Sequence, residues 1–94
     1  MYLRLVQFAF GPGKHSQASQ LAKDLVPAIK AQRGCEGATF FGDKTDGDYG
    51  FFVLWESREN ADAAAAVIGP ELQGTLAGNV QQPPNIRLFE VIEP

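Results

Sequence analysis

Ninety-four residues make one domain, taken as residues 1–94, and a chain of that size buries only roughly 60% of the surface its unfolded form exposes, so partner surface would help it. A hydrophobic content of 45% against 20% charged residues excludes a disordered tail, and a net charge of −3 with scattered Lys and Arg excludes the basic footprint of a DNA-binding or membrane-surface protein. One His, the lone Cys35 and no run of about 18 apolar residues exclude a structural metal site, an internal disulfide and a membrane span; with no signal peptide in "MYLRLVQFAF", a cytoplasmic protein is expected.

Residues 2–10 are rich in Leu, Val and Phe and stop at Gly11, Pro12 and Gly13, which predicts a strand closed by a turn. The stretch "FGPGKHS" has the flavour of a nucleotide-binding loop. A Walker loop, however, needs four residues between its glycines and a hydroxyl directly after the Lys, whereas Pro12 alone separates Gly11 from Gly13 and His15 displaces Ser16. That spacing cannot wrap a phosphate. From about 15 to 33, Ala18, Leu21, Ala22, Leu25 and Ile29 recur at helical spacing, with a bend expected at Pro27 and a stop at Gly34.

Two strands follow, over 36–42 and 49–56, joined by "DKTDGD", whose Asp46-Gly47 pair is a hairpin signal. The order of the three Asp does not match a calcium loop, so a solvated hairpin tip is the better account. A second helix starts at Ser57 as N-cap with Glu59 in its first turn, and carries Ala61, Ala64, Ala65 and Ile68 on one face. Gly69-Pro70 is expected to break it, leaving a short further turn through Leu72 and Leu76. After the loop "GNVQQPPN", residues 86–92 are predicted as the last strand.

The order β-α-β-β-α-β is the ferredoxin-like split unit of the α+β class, and right-handed crossovers make the first and third strands the central pair of an antiparallel sheet. In "FFVLW" both alternating faces are apolar, Phe51, Val53 and Trp55 on one and Phe52 and Leu54 on the other. Two helices cover one face, so something else must cover the second. RNA is one candidate, since RNA-recognition domains share this element order and stack bases on third-strand aromatics. Against that motif "GDYGFFVL" keeps Tyr49, Gly50 and Phe51 but has Gly47 where a basic residue belongs. Asp43, Asp46 and Asp48 beside it repel phosphate, so no nucleic-acid partner is expected.

The other candidate is a second copy of the chain. "GPGKHSQ" opening the first helix, "VPAIKAQRGCEG" closing it into the second strand, and "LWESRENADAA" running from the third strand into the second helix occur in an order that resembles the antibiotic biosynthesis monooxygenase family. The resemblance covers nearly the whole chain. It implies a dimeric α+β barrel, a homodimer in which two ferredoxin-like sheets meet face to face, and a Pro-Gly-Lys turn that merely redirects the chain. It also implies oxidation of small phenols, hydroquinones or polyketide-like aromatics with O₂ and no bound metal or flavin, in a cleft between sheet and helices.

Period-two alternation places Leu3, Leu5, Gln7 and Ala9 on one face of the first strand and Tyr49, Phe51, Val53 and Trp55 on one face of the third. The cleft is therefore expected to be lined by Gln7, Phe51 and Trp55 from the sheet and by Leu72 and Leu76 from the second helix. Gln7 would orient the ligand's oxygen, and His15, whose unperturbed pKa of ~6.5 suits a general base, would take the proton. Each residue also has a structural reading: Trp55 as core, Gln7 bonded to a neighbour, His15 exposed at a helix start. The haem-degrading branch that the resemblance brings in uses an axial His near the second helix and an Asn on the first strand. Leu76 or a neighbour and Gln7 stand there instead, so no cofactor is expected. The alternative to an oxygenase is a noncatalytic dimer of the same fold that binds a small aromatic molecule.

Overall fold

The computed structural model describes residues 1–80 and 82–94. Its elements are β1 (Tyr2–Ala9), α1 (His15–Lys30), β2 (Cys35–Asp43), β3 (Asp48–Trp55), α2 (Arg58–Leu76) and β4 (Asn85–Glu90). The strands form one antiparallel sheet in the order β2-β3-β1-β4, so β1 and β3 are the central pair, as the crossover rule requires. Of the loop expected over 78–85, residue 81 lies outside the described residues.

Both helices pack on one face of the sheet. Val6, Phe8, Tyr49, Phe51, Val53 and Trp55 point to that side and are buried against Ala18, Leu21, Leu25 and Ile29 of α1 and Ala61, Ala64, Ile68, Leu72 and Leu76 of α2. The opposite face carries Leu3, Leu5, Phe52 and Leu54 from the central strands, flanked by Phe41 and Phe89, and Phe52 remains 40% exposed. The doubly apolar third strand is thus real, and among the described residues only one of its faces has a cover.

One expected break did not form. Gly69-Pro70 lies inside a continuous α2, because Ala61, Ala64, Ile68, Leu72 and Leu76 form one buried stripe across it. A helix-interior Pro costs ~3 kcal/mol, while burying Leu72 and Leu76 contributes about 1.5–3 kcal/mol each, so continuation wins. Pro70 is exposed, which leaves the missing backbone bond on the wet side. The helix α1 includes exposed Pro27 and ends at Lys30, ahead of Gly34; the Ala31 N–H donates to the Pro27 carbonyl and the Gln32 N–H to that of Ile29.

The "GPG" turn has a structural purpose. Phe10 and Gly11 N–H both donate to the Gly47 carbonyl, at 2.8 and 3.3 Å, seating the turn on the tip of the β2-β3 hairpin. Gly47 has φ +80°, and a Cβ there would overlap the carbonyl group of Gly11. The Asp46-Gly47 signal therefore specifies both a hairpin and a docking point.

Candidate functional site

Between the sheet and α2 lies a cavity of about 80 Å³. Its floor is Val6, Phe51, Val53 and Trp55, α2 roofs it with Ala64, Ala65, Ile68, Gly69 and Leu72, and Ile86 of edge strand β4 borders it. The small residues at 64, 65 and 69 leave space beneath the helix, and the large rings of Phe51 and Trp55 bound it. Apart from Arg4 the lining contains no ionisable side chain.

Two polar groups belong to residues that line this chamber, although the surface it exposes is almost wholly apolar. Trp55 is 3% exposed, and its Nε1 is buried without a hydrogen-bond partner. An unpaired buried donor costs about 1–3 kcal/mol, so this N–H is a standing demand for an acceptor. Arg4, on the same sheet face, donates from Nη2 to Asp62 Oδ1 of α2 at 3.4 Å, with its side chain 19% exposed and that of Asp62 62% exposed.

The structure brings Phe51, Trp55 and Leu72 together and separates the other predicted site residues from them. Gln7 pairs with Gly50 while Val6 pairs with Phe51, so Gln7 belongs to the opposite face and cannot line the helix-side cleft. The reason is register: alternation groups residues within each strand, but only the pairing decides which group of β1 shares a face with which group of β3. Gln7 instead borders a broad outer groove with Phe41, Asp43, Asp48, Gln82 and Asn85. Leu76 is buried in the core yet does not reach the cavity.

His15 is exposed at the start of α1, with Ser19 Oγ 3.4 Å from Nε2 and Tyr49 Oη 3.5 Å from Nδ1. Tyr49 and Trp55 are the two ends of one strand face, about 20 Å apart at ~3.4 Å per residue. A ring held on Trp55 is consequently out of reach of His15. Among the described residues no group of three or more His, Cys, Asp or Glu could hold a metal ion, and no helix is long and apolar enough to cross a membrane.

The sequence reading missed Arg4. Alternation groups this arginine with Val6 and Phe8, and the pairing register then puts that group on the buried face of a central strand. The orphaned state of Trp55 Nε1 had no sequence signal, since it depends on what does not approach the indole.

The architecture that surrounds this cavity recurs in solved structures. A candidate antibiotic biosynthesis monooxygenase from Nitrosomonas europaea superposes with a TM-score of 0.85 at 13% identity, covering 99% of this chain and 100% of that one. A second, from Deinococcus radiodurans, gives 0.83 at 16% identity over 100% and 95% of the two chains, and a third, from Caulobacter crescentus, 0.81 at 17% over 98% and 90%. The fold is that of the antibiotic biosynthesis monooxygenases. No protein-family model and no curated sequence matches the chain. What it shares with the monooxygenase structures is therefore the ferredoxin-like arrangement of sheet and helices, at identities where side chains must be argued one by one.

Proposed function

We propose that the protein is a cofactor-independent monooxygenase that uses O₂ to oxidise a small phenol or hydroquinone, working as a homodimer. The observation that carries this reading is the apolar cavity walled by Phe51 and Trp55, together with the buried, unpartnered N–H of that Trp55 ring. A ring against Phe51 and Trp55 with its oxygen accepting from Nε1 answers that demand, and the apolar surround keeps water from the reacting carbon. For a phenol going to a quinone, one oxygen atom enters the carbon para to the hydroxyl. The other leaves as water with the hydrogens of that C–H and of the O–H, and the substrate itself supplies the four electrons that reduce O₂.

The cavity as it stands is small. An apolar cavity of about 150 Å³ holds a benzene ring, so a ring enters only as α2 lifts from the sheet. The bare outer face supports the homodimer. Its centre is Leu3, Leu5, Phe52 and Leu54, its one Arg, Arg87, is turned over the Phe89 ring at 4.5 Å, and a second identical sheet is apolar where this one is apolar. Such an interface should bury well above ~1,000 Å². In it Gln7 becomes an interface residue.

One observation favours the second reading, a noncatalytic binding domain: no carboxylate, imidazole, thiol, phenol or amine lines the cavity. Oxygen uptake with a panel of hydroquinones and naphthols, corrected for autoxidation, separates the two. Enzyme-dependent uptake that disappears in Phe51→Ala establishes the oxygenase. Saturable binding at Trp55 without uptake leaves the binding domain, and neither result removes the site.

A further inference from the structure

We infer that the space beneath α2, as it stands, is a binding site for molecular oxygen, taken up before any ring enters. The inference rests on the reading of this cavity as an oxygenase site and names the reactant that comes first. Size and surface carry it together. The space measures about 80 Å³, roughly half of the ~150 Å³ that accepts a benzene ring. A phenol is therefore too large for it until the helix moves. Water fits by volume but not by chemistry, since it needs about two to four polar partners and the surface exposed here is almost wholly apolar. An ion would give up its hydration against the same surface with nothing in return. A small apolar molecule meets neither objection, because it leaves water at a gain and needs only contact. For a reaction that consumes O₂, that molecule is the reactant itself.

The position suits that role. Phe51, Val53 and Trp55 form the floor on which the ring is proposed to lie, Ile68 and Leu72 close it from above, and all five are buried. The border is looser than the floor. Ile86 of the edge strand is exposed, and a Cβ built at Gly69 meets no atom within 4 Å, so the side between β4 and α2 is not packed shut. A diatomic gas can pass there while α2 stays on the sheet, whereas a ring cannot. When the helix then lifts for the ring, the oxygen is already on the floor, and the two reactants meet away from water.

The test follows methyl resonances of the intact protein by NMR under oxygen pressure, since O₂ is paramagnetic and speeds the relaxation of nuclei it approaches. The methyls of Val53, Ile68 and Leu72, which line the cavity, should relax faster than those of Leu21 and Leu76, which are more deeply buried but lie outside it. Xenon, apolar and diamagnetic, should shift the same three residues saturably. Ala64→Val, which adds two carbons to the roof, should abolish both effects. Gly69→Ala, whose methyl meets no atom and favours the helix, should weaken them and carries the comparison if Ala64→Val does not fold. Equal relaxation at cavity and non-cavity methyls, xenon shifts that persist in Ala64→Val, or cross-relaxation from water to the Leu72 methyls overturns the oxygen site. None of these readouts uses a phenol or turnover. Oxygen uptake with hydroquinones but no gas binding overturns this inference alone, whereas gas binding without uptake supports the gas site and removes the oxygenase reading.

Discussion

Replacing Trp55 by Phe should separate what the indole ring does from what its N–H does. The ring is 3% exposed on the cavity floor and its Nε1 lacks a partner, so two terms of opposite sign change together. Phe keeps most of the apolar contact but leaves space, which for a buried large-to-smaller change costs on the order of 1 kcal/mol or more. It also deletes an unsatisfied donor, whose burial costs about 1–3 kcal/mol. The sum for the ligand-free protein should lie within about 1 kcal/mol of zero, a shift of no more than ~4–8 °C for a domain of this size. Trp55→Ala has no such offset and should lose about 3–5 kcal/mol. Because the substitution removes the sole tryptophan, unfolding should be followed by far-UV circular dichroism in urea at fixed protein concentration. Binding of a phenol, measured by calorimetry, should nevertheless weaken in Trp55→Phe by about twofold to tenfold, the net worth of one hydrogen bond. A Trp55→Phe protein destabilised as severely as Trp55→Ala would refute the reasoning, since it would mean that the N–H is paired in the folded chain.

Phe52→Asp, on the uncovered face, should convert a dimer to a monomer by light scattering, and wild-type Tm should rise with protein concentration; a Tm independent of concentration argues against sheet-to-sheet pairing. Pro70→Ala should raise the urea midpoint by the equivalent of about 1–3 kcal/mol, because α2 is continuous there and regains a backbone donor; a lowered midpoint would show that the helix needs its proline. Leu72→Ala should cost about 2–5 kcal/mol and enlarge the cavity, so a bulkier ring should bind the variant that still folds better than it binds wild type.

The architecture was legible because its signals are local and repeat. Helical spacing at Leu21, Leu25 and Ile29, the Asp46-Gly47 hairpin and the apolar run of β3 each fix an element, and the crossover rule then places β1 beside β3. Leu72 and Leu76 were read correctly as apolar helix positions but across a break that burial overrides. The site was less legible. Phe51, Trp55 and Leu72 share the cavity because they belong to the strand and helix most strongly marked as buried. Gln7 was misplaced for want of a register, which is a relation between two strands and has no trace in either one. His15 was attractive as the sole imidazole, yet the length of β3 keeps it away from Trp55. Arg4 is hidden for the same reason as Gln7: alternation groups it with Val6 and Phe8, and only the register shows that this group faces the helices.

The seating of the "GPG" turn on the hairpin tip has a consequence for genetics. When two side chains collide, trimming either one relieves the clash, so a damaging substitution usually has suppressors among its neighbours. At Gly47 the opposing surface is the peptide group of Gly11, which has nothing left to trim. The left-handed backbone at both positions adds its own penalty for any side chain, on the order of 1–2 kcal/mol. Gly47→Ala should therefore be a lesion that no point substitution at residue 11 can rescue. Relief requires moving the turn bodily, by an insertion between the end of β1 and the start of α1, at the expense of the two hydrogen bonds that now tie residues 10 and 11 to the hairpin.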